Sequence, residues 1–143
     1  MQKQTLLTGA VVALAAFAGY HYLEPAPTAQ RPAATAGSAL VAVNLPDTFT
    51  AKGQMGKTAF EAKCAICHGT NAAGNIEAAP PLVHKIYEPS HHGDESFQRA
   101  AALGVQAHHW RFGNMPPVEG ITRAEVDTII AYIRELQRAN GIF

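Results

Sequence analysis

The chain has 143 residues, its 11 Lys and Arg balance 11 Asp and Glu, and 48% of it is hydrophobic. That length gives room for one domain of ordinary size plus an extension. The lack of a basic excess argues against nucleic acid as a partner, because a polyanion is held largely by neutralising its phosphates.

The first element is TLLTGAVVALAAFAGYHYL, residues 5–23, which contains no Lys, Arg, Asp or Glu and is preceded by Lys3. As a helix it would span roughly 28 Å, close to the ~30 Å hydrocarbon thickness of a bilayer. Tyr20, His21 and Tyr22 end it with rings that favour the membrane–water boundary. Two readings share these features. One is a retained transmembrane anchor; the other is a signal peptide cleaved near Ala18, where Ala16-Phe17-Ala18 offers the small residues that cleavage needs. Both export the rest of the chain. Residues 24–44, with three Pro and seven Ala, read as a semi-flexible tether with an r.m.s. reach of roughly 25 Å. A tether serves a domain whose start is fixed in a membrane, so the anchor is preferred. The expected division is a signal-anchor or transmembrane helix over 1–23, a tether over 24–44 and a folded domain over 45–143.

The folded part opens on a helical pattern, with Met55, Ala59, Phe60 and Lys63 distributed between apolar and polar faces. It runs into Cys64-Ala-Ile-Cys67-His68 and then a loop, NAAGNIEAAPP, over 71–81. Asp94 is a candidate N-cap for a short helix that passes through Phe97 and stops at Gly104. Thr122-Arg-Ala-Glu125 has the form of a capping box. It precedes an apolar stripe of Val126, Ile129, Ile130, Ile133 and Leu136, and Asn140-Gly141 ends the helix. No alternating strand pattern and no internal repeat is present. The expectation is an all-α domain with long loops.

Cys64, Cys67 and His68 hold both thiols of the chain beside one imidazole. A Cys-x-x-Cys pair can be a redox dithiol or half of a zinc site. With His directly after it, it is the attachment signature of a c-type haem: the thiols bond the vinyl groups and the imidazole ligates the iron. Zinc lacks ligands of the right count here. The dithiol reading leaves His68 and the residues below without a role.

Iron held by His68 needs a sixth ligand if it only transfers electrons. Of three methionines, Met1 precedes the apolar run and Met55 lies nine residues before Cys64 on the same helix. Met115 is left, in FGNMPPV, where two prolines stiffen an extended loop that would hold the thioether in place.

On these residues the segment from about Gly53 to Gly141 resembles the class I mono-haem c-type cytochromes, of a membrane-anchored type. Gly56, Phe60 and Cys64 match that family's first helix, and Ile129-Ile-Ala-Tyr132-Ile matches its last, with glycine letting the two backbones approach and the rings filling the crossing. Pro80 and Leu82 match the loop after the ligating His. The resemblance implies a small cytochrome c fold of roughly three to five helices wrapped around one haem c, attached through Cys64 and Cys67, with the N-terminal transmembrane helix before it. It also implies that the Pro80 carbonyl accepts the His68 Nδ1–H bond.

The implied role is a one-electron carrier with a low-spin His68/Met115 iron, and not an enzyme in its own right. It would take electrons from a quinol-oxidising complex or a dehydrogenase and pass them to a terminal oxidase in a respiratory or photosynthetic chain. Its place would be the inner membrane, with the haem domain in the periplasm, or the soluble periplasm if cleavage near Ala18 occurs. Competing readings are a haem-based ligand-binding or peroxidase-like protein with a displaceable sixth ligand, and a cytochrome subunit of a larger oxidoreductase. Pro116 and Pro117 are poor acid–base company for the former.

Residues 88–115 depart from the family's plainer pattern. His91, His92, His108 and His109 read as surface polar groups, as partners near a propionate, as a second metal site such as copper, or as a replacement for Met115. Trp110 and Arg111 carry donors that suit a haem propionate, and simple packing explains them equally well. Lys52, Lys57, Lys63 and Lys85 are candidates for a local basic patch or for ordinary solvated surface.

Overall fold

The computed structural model describes residues 39–143. The apolar run at 5–23 and the tether before Ala39 lie outside the described residues. No helix among the described residues is long and apolar enough to cross a membrane. The described residues contain four helices: α1 (Ala51–Lys63), α2 (Ala65–His68), α3 (Asp94–Leu103) and α4 (Arg123–Ala139), with 3₁₀ turns at Thr70–Ala72 and Lys85–Tyr87. There is no strand among the described residues, only two isolated bridges.

The centre of the domain is the crossing of α1 and α4. Gly53, Gly56 and Phe60 are the buried face of α1, while Met55 is 64% exposed. At Gly56 the backbones approach so closely that a Cβ would run into the Thr128 carbonyl oxygen. Phe60 and Tyr132, both fully buried, fill the crossing with ring centroids 5.6 Å apart, and Phe49 packs on Tyr132 at 5.2 Å. The N-cap of α1 is Thr50, whose hydroxyl accepts from Gly53 N at 3.0 Å. Thr50 in turn donates its N–H and its hydroxyl to Glu135 of α4, at 2.9 and 2.6 Å. The capping box at Thr122 and Glu125 starts α4, and all five residues of its apolar stripe are buried.

At α3 the cap differs from expectation. Gly93 occupies the N-cap position with extended backbone, and Asp94 is the first helical residue. The Asp94 carboxylate is engaged elsewhere, accepting from Arg134 Nε at 2.9 Å. Arg134 is the organising cation of this side of the domain. Buried at 8% exposure, it also donates to the carbonyls of Tyr87 (2.7 Å) and His92 (2.6 Å) and to Gln137 Oε1 (2.6 Å). Gln137 Nε2 reaches the carbonyls of Leu82 and Tyr87. A buried guanidinium is tolerable because its donors are satisfied this way. The effect is to fasten the irregular 82–94 segment to α4.

The packed domain begins upstream of the boundary expected at residue 45. Leu40 N and Val41 N donate to the Ala73 carbonyl, at 3.0 and 3.2 Å, and Val43 packs against the core. Asn44 N donates to Asn140 Oδ1 at 2.9 Å and Asn140 Nδ2 returns a bond to the Asn44 carbonyl at 2.8 Å. The Leu40-Val-Ala-Val43 stretch is apolar enough to cover the loop after α2, a signal diluted by the Ala and Pro before it.

Candidate functional site

After Lys63 the chain turns and starts again as α2. Cys67 N and His68 N both donate to the Cys64 carbonyl, at 3.1 and 2.9 Å, so the two cysteines and the histidine sit on one helical turn. Gly69 ends that turn at φ +71, and Asn71 and Ala72 follow with φ +56 and +57. Left-handed backbone at an alanine costs about 1–2 kcal/mol, and it is held here by its surroundings: Gly74 N donates to the His68 carbonyl at 2.7 Å and Leu82 N to the Ala72 carbonyl at 2.9 Å. The reversal brings Pro80 back over His68.

His68 is 9% exposed, and its Nδ1 lies 2.9 Å from the Pro80 carbonyl oxygen. A carbonyl only accepts, so Nδ1 carries the proton and Nε2 the free lone pair. Burial lowers the pKa of His68, with the Pro80 bond opposing, and keeps the ring neutral at physiological pH. Cys64 and Cys67 are both free thiols. Burial, with Cys67 adding and Lys63 opposing, pushes the Cys64 thiol up to about 11. A thiol held protonated at neutral pH is a poor redox nucleophile.

These three side chains open onto a cavity of about 740 Å³, within the ~300–1,000 Å³ of sites that enclose a sizeable ligand. Its walls are mostly apolar, with Phe60, Leu82, Ile129 and Ile133 on the core side and Phe97 and Ala101 from α3. The loop over 104–118 supplies another wall, including Met115. Met115 is fixed by its own backbone, which exchanges two bonds with Val105 at 2.9 and 3.0 Å. Asn114 Oδ1 accepts from Ala107 N at 2.9 Å, and Gly104, at φ +74, lies where a Cβ would meet the Met115 carbonyl.

Trp110 also lines the cavity, with His84 packed edge-on at 5.1 Å. Its Nε1 is buried without a hydrogen-bond partner. The nearby Tyr87 hydroxyl, whose pKa burial raises and the indole N–H partly restores, falls outside hydrogen-bonding geometry. A buried unpaired donor costs ~1–3 kcal/mol, so this indole is placed for an acceptor inside the cavity. Arg111 is exposed and not on the cavity wall, whereas Arg99 of α3 is. Nothing in the sequence around Arg99 separates it from an ordinary helix-surface arginine. Tyr87 is likewise unmarked in the sequence, because its place depends on Arg134 forty-seven positions away.

Of the four lysines considered for a basic patch, Lys63 lines the cavity, and the others meet carboxylates: Lys52 with Asp127 (2.6 Å), Lys57 with Glu61 (3.9 Å) and Lys85 with Glu88 (3.0 Å). The four extra histidines come together as one group of rings. His109 is held below the ordinary imidazole range by desolvation and by its neighbours His108, His92 and His91.

One imidazole with a free lone pair, two thiols and a thioether line one apolar cavity in a small all-α fold, a set of groups suited to holding a sizeable prosthetic group. The chain belongs to the cytochrome c family: the family model described as cytochrome c matches residues 54–137, which contain the helix crossing, the Cys64–His68 motif and Met115. Membership implies a covalent haem c, for which Cys64 and Cys67 are the two cysteines of the chain, and supports haem-based electron transfer. Comparison with individual curated proteins gives no match. The cavity fits the group that the family implies: the His68 lone pair, the size and apolar walls, and the orphaned Trp110 donor are what an iron, a porphyrin and a propionate require.

Proposed function

We propose that the protein is a one-electron carrier whose iron is held by His68 and Met115. It would work in the periplasm as part of a respiratory or photosynthetic chain, fixed to the inner membrane through residues 5–23 and joined to them by the tether. Its donor would be a quinol-oxidising complex or a dehydrogenase and its acceptor a terminal oxidase. The observation that carries the electron-transfer reading is the convergence of Cys64, Cys67, His68 and Met115 on one apolar cavity. Bound there, haem c supplies a one-electron ferric/ferrous couple, at a potential raised by thioether ligation.

The chain's own residues do the rest. Pro80 keeps the His68 ring from turning and raises its basicity. The Met115–Val105 backbone pair holds the thioether loop in one place, where Met115 would serve as a ligand to the iron. Phe60, Leu82, Ile129 and Ile133 exclude water from the centre, and Trp110 Nε1 offers a propionate its donor. A tethered domain meets its partners at raised effective concentration.

Absorption spectra of oxidised and reduced protein, made in a host with c-haem maturation, test the assignment. The expected result is a low-spin haem that stays with the denatured chain and shows the weak red sulfur-to-iron band. The Cys64→Ala/Cys67→Ala double variant should retain no covalent haem. A high-spin spectrum, or no red band, would remove Met115 from the iron; haem retained covalently by the double variant would overturn the attachment.

Trp110→Phe in the haem-loaded protein is expected to lower stability by about 1–2 kcal/mol and to shift the reduction potential and its pH dependence, as a propionate loses its donor. Loss of stability with an unmoved potential would make Trp110 a packing residue only.

A further inference from the structure

We infer that His91, His92 and His109 form a second metal site, distinct from the haem iron, for a divalent transition metal of the zinc type. One ligand nitrogen from each of the three lies within 4.8 Å of the others. His91 Nε2 and His109 Nε2 are 3.4 Å apart. Two nitrogens bound tetrahedrally at ~2.0–2.1 Å from zinc stand about 3.3 Å from one another, so this pair already has the separation of two ligands of one ion. A direct N–H···N hydrogen bond between the rings is the competing use of the same distance.

His92 is prepared as the third ligand. Its Nδ1 donates to the Ile86 carbonyl at 2.6 Å, which leaves the lone pair on Nε2. A ring nitrogen tied to a carbonyl while the other faces the metal is the usual support of a ligating histidine. The His92 backbone is pinned as well, its carbonyl accepting from the buried Arg134 at 2.6 Å. The three rings crowd together, with centroids 4.7 Å apart for His91 and His92 and 5.3 Å for each of them with His109. His108 supports the group from outside: its Nδ1 donates to the Gln106 carbonyl at 2.8 Å and its ring packs on His109 at 4.2 Å.

Three neutral nitrogens with no carboxylate among them favour zinc, copper or nickel over magnesium or calcium. Three protein ligands also leave a fourth position for water or another donor. His91 and His109 are exposed, so an ion can enter from solvent, while His92 and His109 lie on the wall of the cavity. A bound ion would join the segment before α3 to the loop that carries Trp110 and Met115.

The test is equilibrium dialysis and calorimetry of the haem-loaded, full-length protein with Zn²⁺, in excess Mg²⁺. One zinc per chain is expected, with the haem spectrum unchanged. His91→Ala and His109→Ala, at exposed positions that folding tolerates, should each weaken binding by about 100-fold or more, since losing even the outer support of a ligand typically costs 10–100-fold. Wild-type protein that retains no zinc at micromolar free metal, or variants that bind as tightly as wild type, would overturn the site. So would a zinc-dependent loss of the haem spectrum, which would put the metal on His68.

Discussion

Gly56→Ala is expected to destabilise the domain by about 3 kcal/mol, at the upper end of the ~1–3 kcal/mol typical of overpacking. The added methyl would meet the Thr128 carbonyl oxygen, with Thr128 C and Ile129 N beside it. These are backbone atoms of α4 and cannot yield by changing rotamer, so the two helices must move apart. That separation loosens the Phe60–Tyr132 and Phe49–Tyr132 packing together. At ~4–8 °C per kcal/mol for a domain of this size, the melting temperature should fall by roughly 12–24 °C, followed by far-UV circular dichroism. Gly53→Ala is the internal comparison. Its methyl would meet only the Glu135 carboxylate, which can swing away at the expense of its bonds to Thr50, about 1 kcal/mol for a weakened cap. Equal losses at the two positions would mean that close backbone approach is not what Gly56 provides.

Met115→Leu should leave the fold in place and change the redox chemistry. Leucine conserves the volume, and the pairing with Val105 is made by main-chain atoms that the substitution does not touch. Only the sulfur is lost. The reduction potential is then expected to fall by more than about 0.1 V, part of the ~0.8 V that axial ligands command, and the red sulfur-to-iron band to vanish. Equilibrium redox titration with optical detection gives both. A variant with the wild-type potential and band would reduce Met115 to a wall residue.

What could be read from the sequence was what is encoded locally. The Thr122–Glu125 capping box and the stripe of α4 follow from spacing within one helix. Cys64, Cys67 and His68 are legible because covalent attachment and ligation need those residue types at that spacing. The remainder depends on partners far apart in the chain. Arg134 stands in a stretch that reads as an ordinary helix surface between Ile133 and Glu135, yet it is buried by Asp94, Tyr87 and His92, forty or more residues away. Thr50 caps α1 through a local bond to Gly53, but no apolar periodicity begins before Met55 to mark it as a helix start. Asp94 reads as the cap that Gly93 fills, because the claim of Arg134 on its carboxylate is tertiary. Trp110 and Arg111 are neighbours with similar chemistry on paper, and only the course of the loop puts one on the cavity wall and the other in solvent.

The reciprocal pair between Asn44 and Asn140 joins residues 96 positions apart. It fixes the end of the Leu40–Asn44 segment beside the C-terminal end of α4, while Leu40 and Val41 are held on the Ala73 carbonyl. Neither asparagine, nor any residue from Leu40 to Val43, belongs to the cavity wall. The Leu40–Asn44 segment with its Asn140 partner and the wall of the cavity are therefore built from separate residues. A molecule that fills the cavity need not touch the Leu40–Asn44 segment or Asn140, and a change on one of these surfaces leaves the other in place.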